Sequence, residues 1–139
     1  MDPNVGDILP QQPPMILIDR IVSAHEGSAV AEKTFPHGAY GSHEGHVLEP
    51  ALIECLAQTV AALQGTLARR AGEPPAPGLL GGVSDFAFHR TAACGRVLRL
   101  AVAIERHLGP LCLARGRVEQ DGDLVAEGSL TFRIDEPRR

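Results

Sequence analysis

Two side chains on one helical face, and three histidines just ahead of them, are the residues of this chain best suited to moving protons. Glu54 and Gln58 stand four residues apart in PALIECLAQTVAALQGTLARRA, Pro50 to Ala71, a spacing that puts both on the same side of a helix. The preceding stretch, Pro36 to Glu49, carries His37, His43 and His46. Burial disfavours a carboxylate's charged form, whereas a place in the second helical turn favours it, so an acid there can donate a proton near neutral pH. An imidazole, with an unperturbed pKa of about 6.5, is the natural opposing base. Such a pair needs no cofactor. A metal held by His43, His46 and Glu49 or Glu54 has little support, because HEGH lacks the i, i+4 histidine pair of a helical zinc motif.

The helix that must carry Glu54 is well bounded. Pro50 suits its first turn, Gly72 stops it, and Arg69 and Arg70 sit where cations favour the carbonyl end. Apolar residues from Ala51 to Leu67 cover most of its circumference, so it is predicted to be enclosed by other structure. Gly65 inside it costs about 1 kcal/mol relative to alanine, which suggests close packing. Glu54 can also be read as a structural acid bonded to a loop N–H, and Gln58 as a ligand contact or as the group that satisfies Glu54.

Around the helix the pattern is β-like. Asn4 to Leu9 is predicted as a short amphipathic turn, and Pro10, Pro13 and Pro14 impose an extended path. Met15 to Ala24 and Ser28 to Phe35 are predicted to form a hairpin, and Pro36 to Glu49 a loop. After the proline-rich GEPPAPG come four predicted strands, LLGGVSDFAFH, RVLRLAVAIERH, LCLARGRVEQ and LVAEGSLTFRI, separated by TAAC, LGP and DGD. Gly81-Gly82 reads as a bulge or as room for a ligand chain beside the backbone. Two strands, one long helix and four strands imply an α+β layout, a single antiparallel sheet wrapped around a helix. Such a sheet covers one side only, so a second subunit is expected to complete the burial.

Composition narrows the classes. A chain of 139 residues with 44% hydrophobic and 22% charged residues fits one globular domain, residues 1–139. A net charge of −4 and 4% aromatics argue against a nucleic-acid module. No uninterrupted apolar run approaches the roughly 20 residues of a bilayer span, and MDPNVGDILP lacks a signal core, so a cytoplasmic protein without a membrane partner is expected. Cys55, Cys94 and Cys112 show no CxxC spacing and read as reduced thiols. The arginines after the helix read as a solvated surface or as a docking face for an acidic carrier.

In order along the chain, LPQQPPMILIDRI, a loop ending in Gly45-His46, IECLAQTVAAL, GLLGGVSDFAFHR and LVAEGSLTFRI resemble the hot-dog fold (3R)-hydroxyacyl-acyl-carrier-protein dehydratases. ECLAQ resembles that family's EAxAQ helix signature. The resemblance implies a dimer in which a loop histidine removes the C2 proton of an acyl-carrier or coenzyme A thioester and a helix acid helps the 3-hydroxyl leave as water. Glu54 falls on the acid position and His46 on the histidine, with His43 and His37 as rivals. The family loop GHFPxxPxxPG is about six residues longer than the one here, and its FP and PG pairs are missing, so the chain looks more like the divergent dehydratases of aryl-polyene and similar lipid-like pathways, 3-hydroxymyristoyl-carrier dehydratases among them. The resemblance also allows a non-catalytic subunit partnering a hot-dog paralogue, or thioester hydrolysis. Pro50 and Ala51 are expected to meet the developing oxyanion through the helix N-terminus, with Gln58 beside the substrate.

Overall fold

The chain folds, in a computed structural model that describes residues 17–74 and 78–134, as one long helix lying against an antiparallel sheet. β1 (Arg20–His25) and β2 (Ser28–Thr34) form the expected hairpin, with Arg20 paired to Glu32 in register and by a 2.7 Å ion pair. β3 (Ser42–His43) and β4 (His46–Val47) lead straight into α1 (Glu49–Arg70). Then follow β5 (Gly78–Phe88), β6 (Ala92–Ala93), β7 (Val97–Leu108), β8 (Leu111–Gln120) and β9 (Asp123–Ile134). The large sheet has the order β1-β2-β7-β8-β9-β5, and β3-β4-β6 make a separate small sheet.

Residue type explains the two faces of the sheet. Along β8, Cys112, Ala114, Gly116, Val118 and Gln120 are buried, while Arg117 is exposed and Arg115 and Glu119 are half-buried, the period of two that sends alternate side chains to opposite faces. Leu98, Leu100 and Val102 of β7 and Ala126, Leu130 and Phe132 of β9 join the same inner layer. On the outer face Arg115 pairs with Glu127 at 3.3 Å and Arg117 with Glu119 at 3.4 Å. Such exposed pairs contribute about 0–1 kcal/mol each.

α1 places Leu52, Cys55, Leu56, Val60 and Leu63 into this layer, all 2% exposed or less. By length and composition alone α1 is long and apolar enough to cross a membrane, as buried core helices also can be, and most of it is buried inside the protein. Its polar interruptions, such as Glu54, hide this from a count of uninterrupted residues. One stripe, Ile53, Glu54, Ala61, Gln64 and Ala68, is only half-buried, because a sheet can cover one side of a cylinder. Close fit on the covered side depends on Gly116 and Gly128, which face each other across β8 and β9. A methyl group on Gly116 would meet Leu56, and one on Gly128 would fall within the Phe86 ring.

The remaining differences are local. The predicted turn from Asn4 to Leu9, its prolines and the start of the first strand lie outside the described residues; Leu17 to Asp19 precede β1 without ladder pairing. Pro36 to Glu49 is not all loop and TAAC is not all turn, since both contain two-residue strands, too short to show a period. Gly81 is a bulge, the register shifting between Leu80 and Gly82.

All three cysteines are free and buried. Burial, with smaller opposing effects from nearby charges, pushes the Cys55 thiol up to about 12, so its reactive thiolate is scarce at neutral pH. In the native protein at pH 8, iodoacetamide is expected to leave Cys55 unmodified, while in denaturant it labels all three. Peptide mass spectrometry reads this directly, and rapid native labelling of Cys55 would show that α1 opens.

Candidate functional site

Glu54 sits in the second turn of α1, on the half-covered stripe. Its Oε1 accepts a 3.1 Å hydrogen bond from Nε2 of Gln58. Gln58 is fully buried and its Oε1 in turn accepts from the backbone N–H of Leu17 at 2.8 Å. That second bond settles which way the amide points: with its oxygen turned to Leu17, its NH2 must face Glu54. Gln58, expected beside a substrate, thus bridges Glu54 and the Leu17 backbone.

The carboxylate is half-buried rather than enclosed. Among the described residues no strand of the large sheet lies over that stripe.

The histidines gather around the small sheet. His46 in β4 is exposed, and its cross-strand partners are His43 on β3 and Ala93 on β6. The β3–β4 turn is Glu44-Gly45, both at positive φ (50° and 79°), the geometry of a two-residue hairpin in which glycine is favoured. His43 is 3.8 Å from Glu44, with its side chain 72% exposed. The His37 imidazole lies beside Gly45 and Gly95. Among the described residues no hydrogen bond joins His46, His43 or His37 to Glu54 within one chain.

Pro50 and Ala51 do not supply the expected donors. Pro50 has no N–H, and the amides of Ala51 and Leu52 both point back at the Leu48 carbonyl, at 3.0 and 3.2 Å. Without a side-chain cap at Leu48, the backbone itself takes up these first-turn groups.

A cleft of about 340 Å³ opens at the same end of α1, between Val47, Glu49, Leu52 and the segment Phe88 to Ala92. His89, which reads from sequence as a rim residue, lines it and is 3.1 Å from Glu127. Hydrogen bonds from His89 and then Arg115 hold the Glu127 carboxyl below the usual carboxylate range. No spacing in the sequence links this segment to the start of α1. The nearest signal is that FHR ends a strand after the helix.

A family model described as ApeP dehydratase, ApeP-like, matches residues 3–137. A protein of Clostridium acetobutylicum named 3-hydroxyacyl-[acyl-carrier-protein] dehydratase FabZ is 31% identical over 137 residues, covering 94% of this chain and 95% of its own. One of the same name from Listeria monocytogenes is 30% identical over 139 residues, covering 96% and 94%. Among solved structures, the dehydratase heterocomplex ApeI:P from Xenorhabdus doucetiae superposes with a TM-score of 0.89 at 18% identity, covering 98% of this chain and 93% of that one. A hypothetical thioesterase with coenzyme A from Streptococcus pneumoniae gives 0.70 at 13% identity, with 86% and 88% covered. The helix-in-sheet layout is the hot-dog fold.

Proposed function

The chain belongs to the ApeP-like dehydratase family, 3-hydroxyacyl-carrier thioester lyases in kind, and from that premise we propose that Glu54 of one hot-dog subunit works with His46 of another. The neutral His46 imidazole takes the C2 proton, which the neighbouring thioester acidifies. The C–H electrons become the C2–C3 double bond, the C3–O bond breaks, and Glu54 delivers a proton so that the oxygen leaves as water. A 2-enoyl thioester remains, and exchange with solvent resets both groups.

One observation carries this reading: an acid fixed at 3.1 Å by a buried glutamine, on the one stripe of α1 that its own sheet leaves half open. A subunit docked there would bring its own small sheet toward Glu54. β5, one of the two edge strands, supports such docking, since Leu80 and Val83 on it are 39% and 46% exposed and apolar edge strands are ordinarily covered. The second subunit is another copy of the chain, or a hot-dog paralogue as the similarity to the ApeI:P heterocomplex favours. The substrate enters as a thioester on an acyl carrier, and the reaction takes place in the cytoplasm.

The test is complementation. His46→Ala and Glu54→Gln proteins are each assayed alone on a 3-hydroxyacyl carrier thioester, following the 2-enoyl product, then unfolded, mixed and refolded together. Each alone is expected to be inactive. In a symmetric dimer with sites shared across the interface, the mixture regains roughly a quarter of native activity. Restoration only on adding a hot-dog paralogue identifies the heteromeric form. Full activity of His46→Ala would remove His46 as the base.

A further inference from the structure

The small sheet that holds His46 is anchored to the large one by a side chain with no part in the chemistry above. Gln120, the last residue of β8, is 8% exposed. Its Oε1 accepts from the N–H of Ala93 at 2.9 Å, and its Nε2 donates to the Ala93 carbonyl at 3.0 Å and to the Arg96 carbonyl at 3.3 Å. A carboxamide gripping both polar groups of one residue does what a neighbouring strand does. Ala93 lies between Gln120 on one side and His46, its ladder partner, on the other. The next residue, Cys94, donates to the Gly45 carbonyl at 2.9 Å.

We propose that Gln120 is the positioning residue for His46, taking the place of a missing fourth strand in the β3-β4-β6 sheet. Strands of two residues cannot stabilise themselves. β4 already runs into α1 and buries Val47, and what Gln120 adds is a tie on the β6 side of His46. Gln120 links that side to the end of β8, so the imidazole is placed by the rigid sheet. A displacement of about 1 Å at a reacting group costs on the order of 100-fold in rate, which makes such a tie matter in turnover more than in folding. The inference rests on His46 being the base.

The experiment compares Gln120→Met, which keeps length but neither bond, with His46→Ala and with Leu130→Ala, a core variant remote from β6. All are assayed well below their melting temperatures. Gln120→Met is expected to lose about 10- to 100-fold in kcat with KM little changed, to lose amide-exchange protection at Cys94, and to shift the His46 imidazole resonances. Leu130→Ala is expected to melt earlier yet keep its kcat and its His46 resonances. Should Gln120→Met fail to fold, Gln120→Glu keeps the shape and recovers both bonds only when protonated. Its kcat should then fall, relative to the native enzyme, as pH rises through that ionisation. If His46→Ala is inactive while Gln120→Met, or in its place Gln120→Glu at every pH, keeps native kcat and native His46 resonances, the positioning role is overturned. If His46→Ala is itself fully active, it is the assignment of His46 that falls.

Discussion

Replacing Glu54 by glutamine is expected to slow dehydration of a 3-hydroxyacyl carrier thioester by about 10²- to 10⁴-fold, the usual contribution of a placed general acid. Glutamine is nearly the same shape and retains an oxygen to accept the 3.1 Å bond from Gln58, so the support behind the site survives. It cannot surrender a proton to a departing hydroxyl. Substrate binding and melting temperature should therefore move little while kcat collapses. Alanine would be the poorer probe, because it also removes the acceptor in front of a fully buried amide and mixes stability with chemistry. Steady-state kinetics beside thermal unfolding separates the two. Near-native kcat in Glu54→Gln would place the acid elsewhere and remove the central part of the mechanism.

Gly128→Ala is expected to destabilise the protein by about 1–3 kcal/mol, the range of overpacked cores, lowering Tm by roughly 4–12 °C. The added methyl would occupy the space of the Phe86 ring. That ring is not the movable end of a flexible chain: it stacks on Phe88 with centroids 5.9 Å apart, and Phe88 lines the cleft beside α1. The corresponding change at Gly116 should cost less, because its contacts are methyl ends of Leu56 and Leu130, at 2.9 and 3.2 Å, which can rotate. A double-mutant cycle with Phe86→Ala supplies the check. If the ring is the obstacle, removing it should relieve the Gly128→Ala penalty by about 0.5–3 kcal/mol; strict additivity would place the clash elsewhere.

The central helix was readable almost to the residue, Pro50–Ala71 expected against Glu49–Arg70 observed. Its signals are local: a proline in the first turn, arginines in the last and a glycine beyond. The strands after it were legible for the same reason, each being ten residues or more. The small sheet was not, since two residues cannot display alternation, and its pairing of His46 with Ala93 joins parts of the chain 47 positions apart. The first-turn donors were misread because a helix N-terminus attracts anions only where its amides are unused, and here Leu48 takes two of them.

Residue types and spacing thus determined that a long apolar helix would carry an acid and a glutamine on one face, that strands would surround it, and that histidines would stand just before it, because period and capping act over a few neighbouring residues. Tertiary structure alone decided that Gln58 bridges Glu54 to the Leu17 backbone, that the acid's stripe stays half open, and that the end of β8 holds the strand paired with the histidine. Those outcomes depend on which distant backbones come within hydrogen-bonding reach once the sheet closes on the helix, and no local pattern encodes that distance.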